Sequence, residues 1–140
     1  MSTDFMQLHK PGIGNAASYQ VSGKPFLTGS VTAPNNTGTP VQITFPQVTK
    51  KLIITNTGGE HLRVGFSAAG IKNGNFTLVH LHSGGTPSEF GKLELEVKCT
   101  SVFLLSNDST NPTSFCLAAE LTNIPAVELP TNWSGSAGVG

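Results

Sequence analysis

Short runs rich in β-branched and aromatic residues recur along this chain about every ten residues, each closed by a cluster of Gly, Pro, Asn or Asp. A helix needs apolar residues at spacings of three and four, and that pattern fails across almost the whole length. The chain therefore reads as all-β. The spacing predicts strands over Phe26–Ala33, Thr39–Phe45, Val48–Asn56, His61–Ser67, Phe76–His82, Ser88–Val97, Thr100–Ser106 and Thr113–Thr122.

Alternation assigns faces within these strands, because successive side chains of a strand point to opposite sides. Leu62, Val64 and Phe66 oppose His61 and Arg63. Leu93, Leu95 and Val97 oppose Lys92, Glu94, Glu96 and Lys98. Phe115, Leu117, Ala119 and Leu121 oppose Cys116 and Glu120. Two runs, Leu52-Ile53-Ile54 and Val102-Phe103-Leu104-Leu105, do not alternate and call for cover on both faces, from a second layer or a neighbouring subunit. The turns Pro34–Gly38, Asn56–Gly59, Lys72–Asn75, Ser83–Pro87 and Asn107–Pro112 supply residues that tolerate positive φ or hold φ fixed.

Eight antiparallel strands with short connections suit a single eight-stranded jelly-roll β-sandwich, with an immunoglobulin-like sandwich as the competing topology. At 140 residues the chain has room for one domain. It divides into an N-terminal arm (1–25), the sandwich (26–122) and a C-terminal tail (123–140), so the sandwich carries extended arms at both ends. Phe5, Tyr19, Val21 and Trp133 lie in those arms. The arms read either as disordered termini or, through these aromatic and apolar groups, as anchors that order against a neighbouring subunit.

Charged residues make up only 11% of the chain and sum to a net charge of zero, so little long-range repulsion opposes close packing of identical copies. No Lys/Arg run exceeds Lys50-Lys51, which argues against direct nucleic-acid recognition. No window holds the roughly 20 apolar residues of a membrane span. Met1–Lys10 carries Asp4 and lacks the apolar stretch of a secretory signal, so a reducing compartment is expected. Cys99 and Cys116, in no metal-binding spacing, then read as ordinary buried thiols. The Asn-x-Ser/Thr triplets at Asn35, Asn75, Asn107 and Asn132 are read as fortuitous.

Catalytic constellations are hard to find. No strained Gly-x-Ser-x-Gly elbow exists, and Ser83-Gly84-Gly85 is a turn. Glu94 and Glu96 share a face with Lys92 and Lys98, the pattern of a solvated strand with cross-strand ion pairs. His80 and His82, two apart on one strand, share a face that ligates a metal only if a further ligand joins them, and no carboxylate and later His complete a cupin-type set. No cofactor is expected.

The order of phrases carries more. Gly14–Gly29 (GNAASYQVSGKPFLTG) precedes the first strand, and Phe45–Ser67 (FPQVTKKLIITNTGGEHLRVGFS) forms one hairpin region. Glu94–Ser106 (ELEVKCTSVFLLS) forms another, and Ala119–Ala126 (AELTNIPA) closes the domain. From about Pro11 to Ala126 the chain resembles the single jelly-roll, penton-type capsid proteins of nucleocytoplasmic large DNA viruses. The resemblance implies a homopentamer at the fivefold vertex that contacts major and minor capsid proteins, is made in the host cytoplasm, resides in the virion and has no catalysis. It also implies that the segment through Gly29 makes subunit contacts, adding Lys24 and Phe26 to Phe5, Tyr19, Val21 and Trp133 as candidate interface residues. The alternatives are a glycan- or receptor-binding jelly-roll module of a viral spike or tail, and an enzyme on a cupin-like frame using His80 and His82.

Overall fold

The computed structural model describes residues 24–81 and 91–129. Strands β1 (Pro25–Ala33), β2 (Val41–Thr44), β3 (Gln47–Asn56), β4 (Leu62–Gly65), β5 (Thr77–Val79), β6 (Gly91–Leu95), β7 (Ser101–Ser106) and β8 (Thr113–Pro125) fall on the eight expected stretches. Residues 88–90 of the expected sixth strand lie outside the described segments. β8 continues to Pro125, three residues past its expected end, through Thr122, whose hydroxyl donates to Val48 O at 2.7 Å.

The strands form two four-stranded antiparallel sheets, ordered β1-β8-β3-β6 and β2-β7-β4-β5. Pairing is nested: β1 lies against β8, β2 against β7, β3 against β6 and β4 against β5. The chain thus follows the path of one long antiparallel ribbon, its two arms β1–β4 and β5–β8. Contacts of β3 with β8 and of β4 with β7 then join the nested pairs into sheets.

The alternating faces close the core. Leu52, Ile54, Phe115, Leu117, Ala119 and Leu121 of the first sheet and Leu62, Val64, Val102 and Leu104 of the second belong to one buried cluster. Each fully buried Leu, Ile or Phe contributes roughly 1.5–3 kcal/mol relative to leaving it in water. Leu93, Leu95 and Val97 pack against the cluster from β6 and the segment after it, only partly buried.

Sequence periodicity did not indicate a helix, and α1 (Ala68–Asn73) lies between β4 and β5. Its six residues make fewer than two turns, too few to display a 3.6-residue repeat. Its ends are defined chemically instead. Ser67 caps the start, its Oγ accepting the Gly70 N–H at 2.8 Å, and Gly74 closes the end at φ 106°. The helix packs on the outer side of β4 and β7 and buries Ile71. Gly65 permits that approach, because a Cβ there would stand 3.2 Å from Ile71 Cβ. Leu105, on the outward side of β7, is fully buried on the sheet that α1 covers. The second layer expected for the Val102–Leu105 run is thus this helix. Ile53 of the other non-alternating run is only half-covered by the described residues of this chain.

One end of the sandwich is tied by a buried polar cluster. Asn56 is fully buried, and its amide donates to Glu60 O at 2.7 Å and Val79 O at 3.2 Å. Its carbonyl oxygen accepts the Gly58 N–H at 3.0 Å, and Thr113 Oγ1 lies 3.0 Å from both that oxygen and Glu60 O. Gly58 must be glycine for this packing, since a Cβ would run into Thr113 Oγ1. The buried groups are satisfied, so their desolvation is offset.

Candidate assembly surface

A sheet with one face in the core normally turns a polar face to water. The first sheet departs from this over three of its strands. Leu27 of β1 is paired with Ala118 of β8, and Ala118 with Ile53 of β3. All three point away from the core cluster, and Leu27 is 76% exposed. Cys116, in the adjacent row, adds a thiol opposite Thr55. Together these residues line an open groove of about 230 Å³.

The groove follows from a local irregularity. Between Thr28 and Val31 the β1 register shifts against β8, so Gly29 and Ser30 stand opposite the single residue Cys116. Such a bulge bends an edge strand. Gly29 contributes no side chain, and no heavy atom lies within 4 Å of where its Cβ would be.

Charge lies beside the apolar rows. Ile53 pairs onward with Glu94 and Thr55 with Lys92, while Glu120 faces both Pro25 and Lys51. Lys92 Nζ is 2.8 Å from Glu94 Oε1, and Lys51 Nζ is 3.7 Å from Glu94 Oε2. The Lys92 hydrogen bond and charge, with Lys51, hold the Glu94 carboxyl below its ordinary range. This matches the ion-paired, solvated strand expected from the alternating Lys and Glu of β6. An apolar centre flanked by charged and polar groups is the anatomy of a protein-protein contact.

Phe5, Tyr19, Val21 and Trp133 lie outside the described residues, as does His82. Lys24 is exposed, and its carbonyl accepts the Leu121 N–H at 3.0 Å, which starts β1 against β8. Phe26 does not reach the outer face. It turns inward and meets Phe45 edge-on, with ring centroids 5.0 Å apart and planes at 83°. Its neighbour Leu27 takes the outward position. The parity of β1 decides between them, and the bulge at Gly29-Ser30 hides that parity from simple alternation.

Cys99 is buried, as expected, beside Thr49, whose Oγ1 lies 3.3 Å from Cys99 Sγ. Burial pushes its thiol up from the ordinary range. Cys116 departs from expectation and is only half-buried, because it lies on the outer face. His80 is exposed, and its ring meets His61 edge-on at 5.3 Å. Among the described residues no three His, Cys, Asp or Glu side chains are grouped to share an ion. Among the same residues, no helix is long and apolar enough to cross a membrane.

No protein-family model matches this chain, and no curated protein matches it.

Proposed function

We propose that this chain is a structural jelly-roll subunit that works by assembling with copies of itself, as the penton protein at the fivefold vertex of a large DNA virus capsid. The observation that carries the reading is the outward apolar row Leu27–Ala118–Ile53 with charge beside it, since an apolar face of this kind marks a surface that a partner covers. The nested pairing supports the jelly-roll part, because rolling a four-against-four ribbon yields two Greek keys around one core. A constant-type immunoglobulin sandwich instead has its first and last strands in different sheets.

Ring closure needs two different surfaces on each subunit, one meeting the other head to tail. Leu78 on β5 and Val127 in the 3-10 turn Ala126–Glu128 are exposed apolar side chains away from the β1–β8–β3 row. Each offers an apolar counterpart. A lasting ring contact buries on the order of 2,000 Å², more than the groove provides, so the arms and the neighbouring major and minor capsid proteins share the remainder. In this reading the protein is made in the host cytoplasm and resides in the virion.

Native mass spectrometry and sedimentation velocity of the full chain, alone and with the major capsid protein, test it. A discrete pentamer, or incorporation at the vertices of assembled shells, is the expected result. Monomer at high concentration in both settings would overturn the proposal.

A further inference from the structure

His61 and His80 make a corner that the assembly reading does not use. The register of β4 on β5 pairs Leu62 with Val79, so the next pair outward is His61 with His80, both on the outer face of the second sheet. Their rings meet edge-on, with centroids 5.3 Å apart and planes at 75°. His61 Nδ1 also accepts the Leu81 N–H at 3.1 Å. That bond holds Leu81 beyond the three residue pairs that join β5 to β4.

The chemistry of this corner depends on protons. An imidazole nitrogen accepts a hydrogen bond only while it carries no hydrogen, and both ring nitrogens of an imidazolium are donors. The Leu81 bond therefore exists only with neutral His61. Charging both rings would also place two cations edge to face, with ring centroids 5.3 Å apart.

β6 meets this corner, with Gly91 against the His80 backbone and Lys92, ion-paired with Glu94, next along the strand. On β4 itself, Arg63 shares the outer face and adds a second positive charge. Its guanidinium is held by Asn107 Oδ1 at 2.8 Å, by Ile71 O at 3.2 Å and over the Phe76 ring at 4.3 Å. On the β7 side, Asn107 is neutral, and its N–H donates to His61 O. Asp108 follows it, with its carboxylate engaged by the Thr110 and Asn111 N–H groups. Glu60 precedes His61, and its Oε1 lies 3.5 Å from Asn111 Nδ2. On β5, Leu78 shares the outer face and is apolar.

We propose that His61, His80 and the Leu81 N–H form a proton-sensitive latch, closed while His61 Nδ1 accepts the Leu81 N–H and opened when that nitrogen takes up a proton. Only the end of β5 is released. Val79 stays buried, with its carbonyl held by the Asn56 amide, so the core is retained. The latch gives this sheet edge two states selected by pH.

Amide NMR of the full chain between about pH 8 and about pH 5 tests this. In the wild type, the Leu81 amide resonance should titrate together with the His61 ring signals. Its exchange protection, corrected for intrinsic rate, should fall by about tenfold or more at the acid end, the scale set by losing one part-buried hydrogen bond and adding a like-charge contact. His61→Gln keeps an acceptor oxygen that does not titrate, and its Leu81 protection should stay constant with pH. His80→Gln removes the second cation, and its Leu81 transition should move to lower pH. Unchanged Leu81 protection in the wild type at pH 5 would overturn the latch, as would an equal loss in His61→Gln.

Discussion

Leu27→Asp separates assembly from folding. Leu27 is 76% exposed, so only about a quarter of it leaves water when the chain folds. The substitution should therefore change the stability of the isolated domain by no more than about 0.5 kcal/mol, the usual range for surface sites. In an assembled contact the remaining three quarters would be covered. Full burial of a Leu is worth roughly 1.5–3 kcal/mol, so the loss of that share is about 1–2 kcal/mol per contact. Placing a carboxylate beside Ala118 and Ile53 adds a desolvation cost of at least a similar size, since neither offers a hydrogen bond. The sum is about 3 kcal/mol, or on the order of a hundredfold in the dissociation constant of each contact. In a ring every subunit presents the altered face, so the loss recurs at each junction. Sedimentation velocity over a concentration series reads the assembly, and urea unfolding at low concentration reads the fold. Leu27→Ala should fall between wild type and Leu27→Asp, while Thr39→Asp, an exposed site outside this face, should assemble normally. Unchanged assembly of Leu27→Asp would remove this face from any interface. A large drop in the urea midpoint would show instead that Leu27 belongs to the fold.

Asn56→Ala removes four hydrogen bonds, two buried and two part-buried, at about 1 kcal/mol each and should lower stability by about 3–4 kcal/mol in urea titrations. Thr113→Val should cost about 1–2 kcal/mol, and the double variant less than the sum because the two residues share a bond; strict additivity would refute the shared network. In the native protein a thiol-reactive disulfide should modify the half-buried Cys116 and spare Cys99 until the chain unfolds, as read by peptide mass mapping; equal rates would contradict the assigned faces. Asp108 accepts the Asn111 N–H at 2.6 Å and the Thr110 N–H at 2.9 Å, which holds its carboxyl below the ordinary range. A carboxyl lowered by folding adds stability above its unfolded value and loses it as pH falls further, so Asp108→Asn should flatten the decline in stability below about pH 4. Identical pH profiles for wild type and variant would exclude that contribution.

Strand positions and core faces were legible from the chain because they depend on spacing. Leu62 and Val64, and Phe115 to Leu121, alternate at the period of the pleat, and the intervening Asn, Gly and Pro residues tolerate positive φ or fix φ, which marks the turns. Local spacing carries no information about which strands meet. The nesting of β1 on β8 and β3 on β6 depends on contacts between residues far apart in the chain. The same limit concealed the proposed assembly surface. Leu27, Ile53 and Ala118 are each a single outward apolar residue in its own strand, unremarkable alone, and they become one row only when β1, β8 and β3 lie side by side. The His61–His80 corner arises likewise, from two residues 19 positions apart brought together by β4–β5 pairing. The amino-acid sequence by itself determined the all-β class and which side chains seek the core, through a period of two that each strand expresses alone. Tertiary structure alone decided the neighbours, because sheet order satisfies every strand's hydrogen bonds and apolar face at once, a condition that no single segment contains.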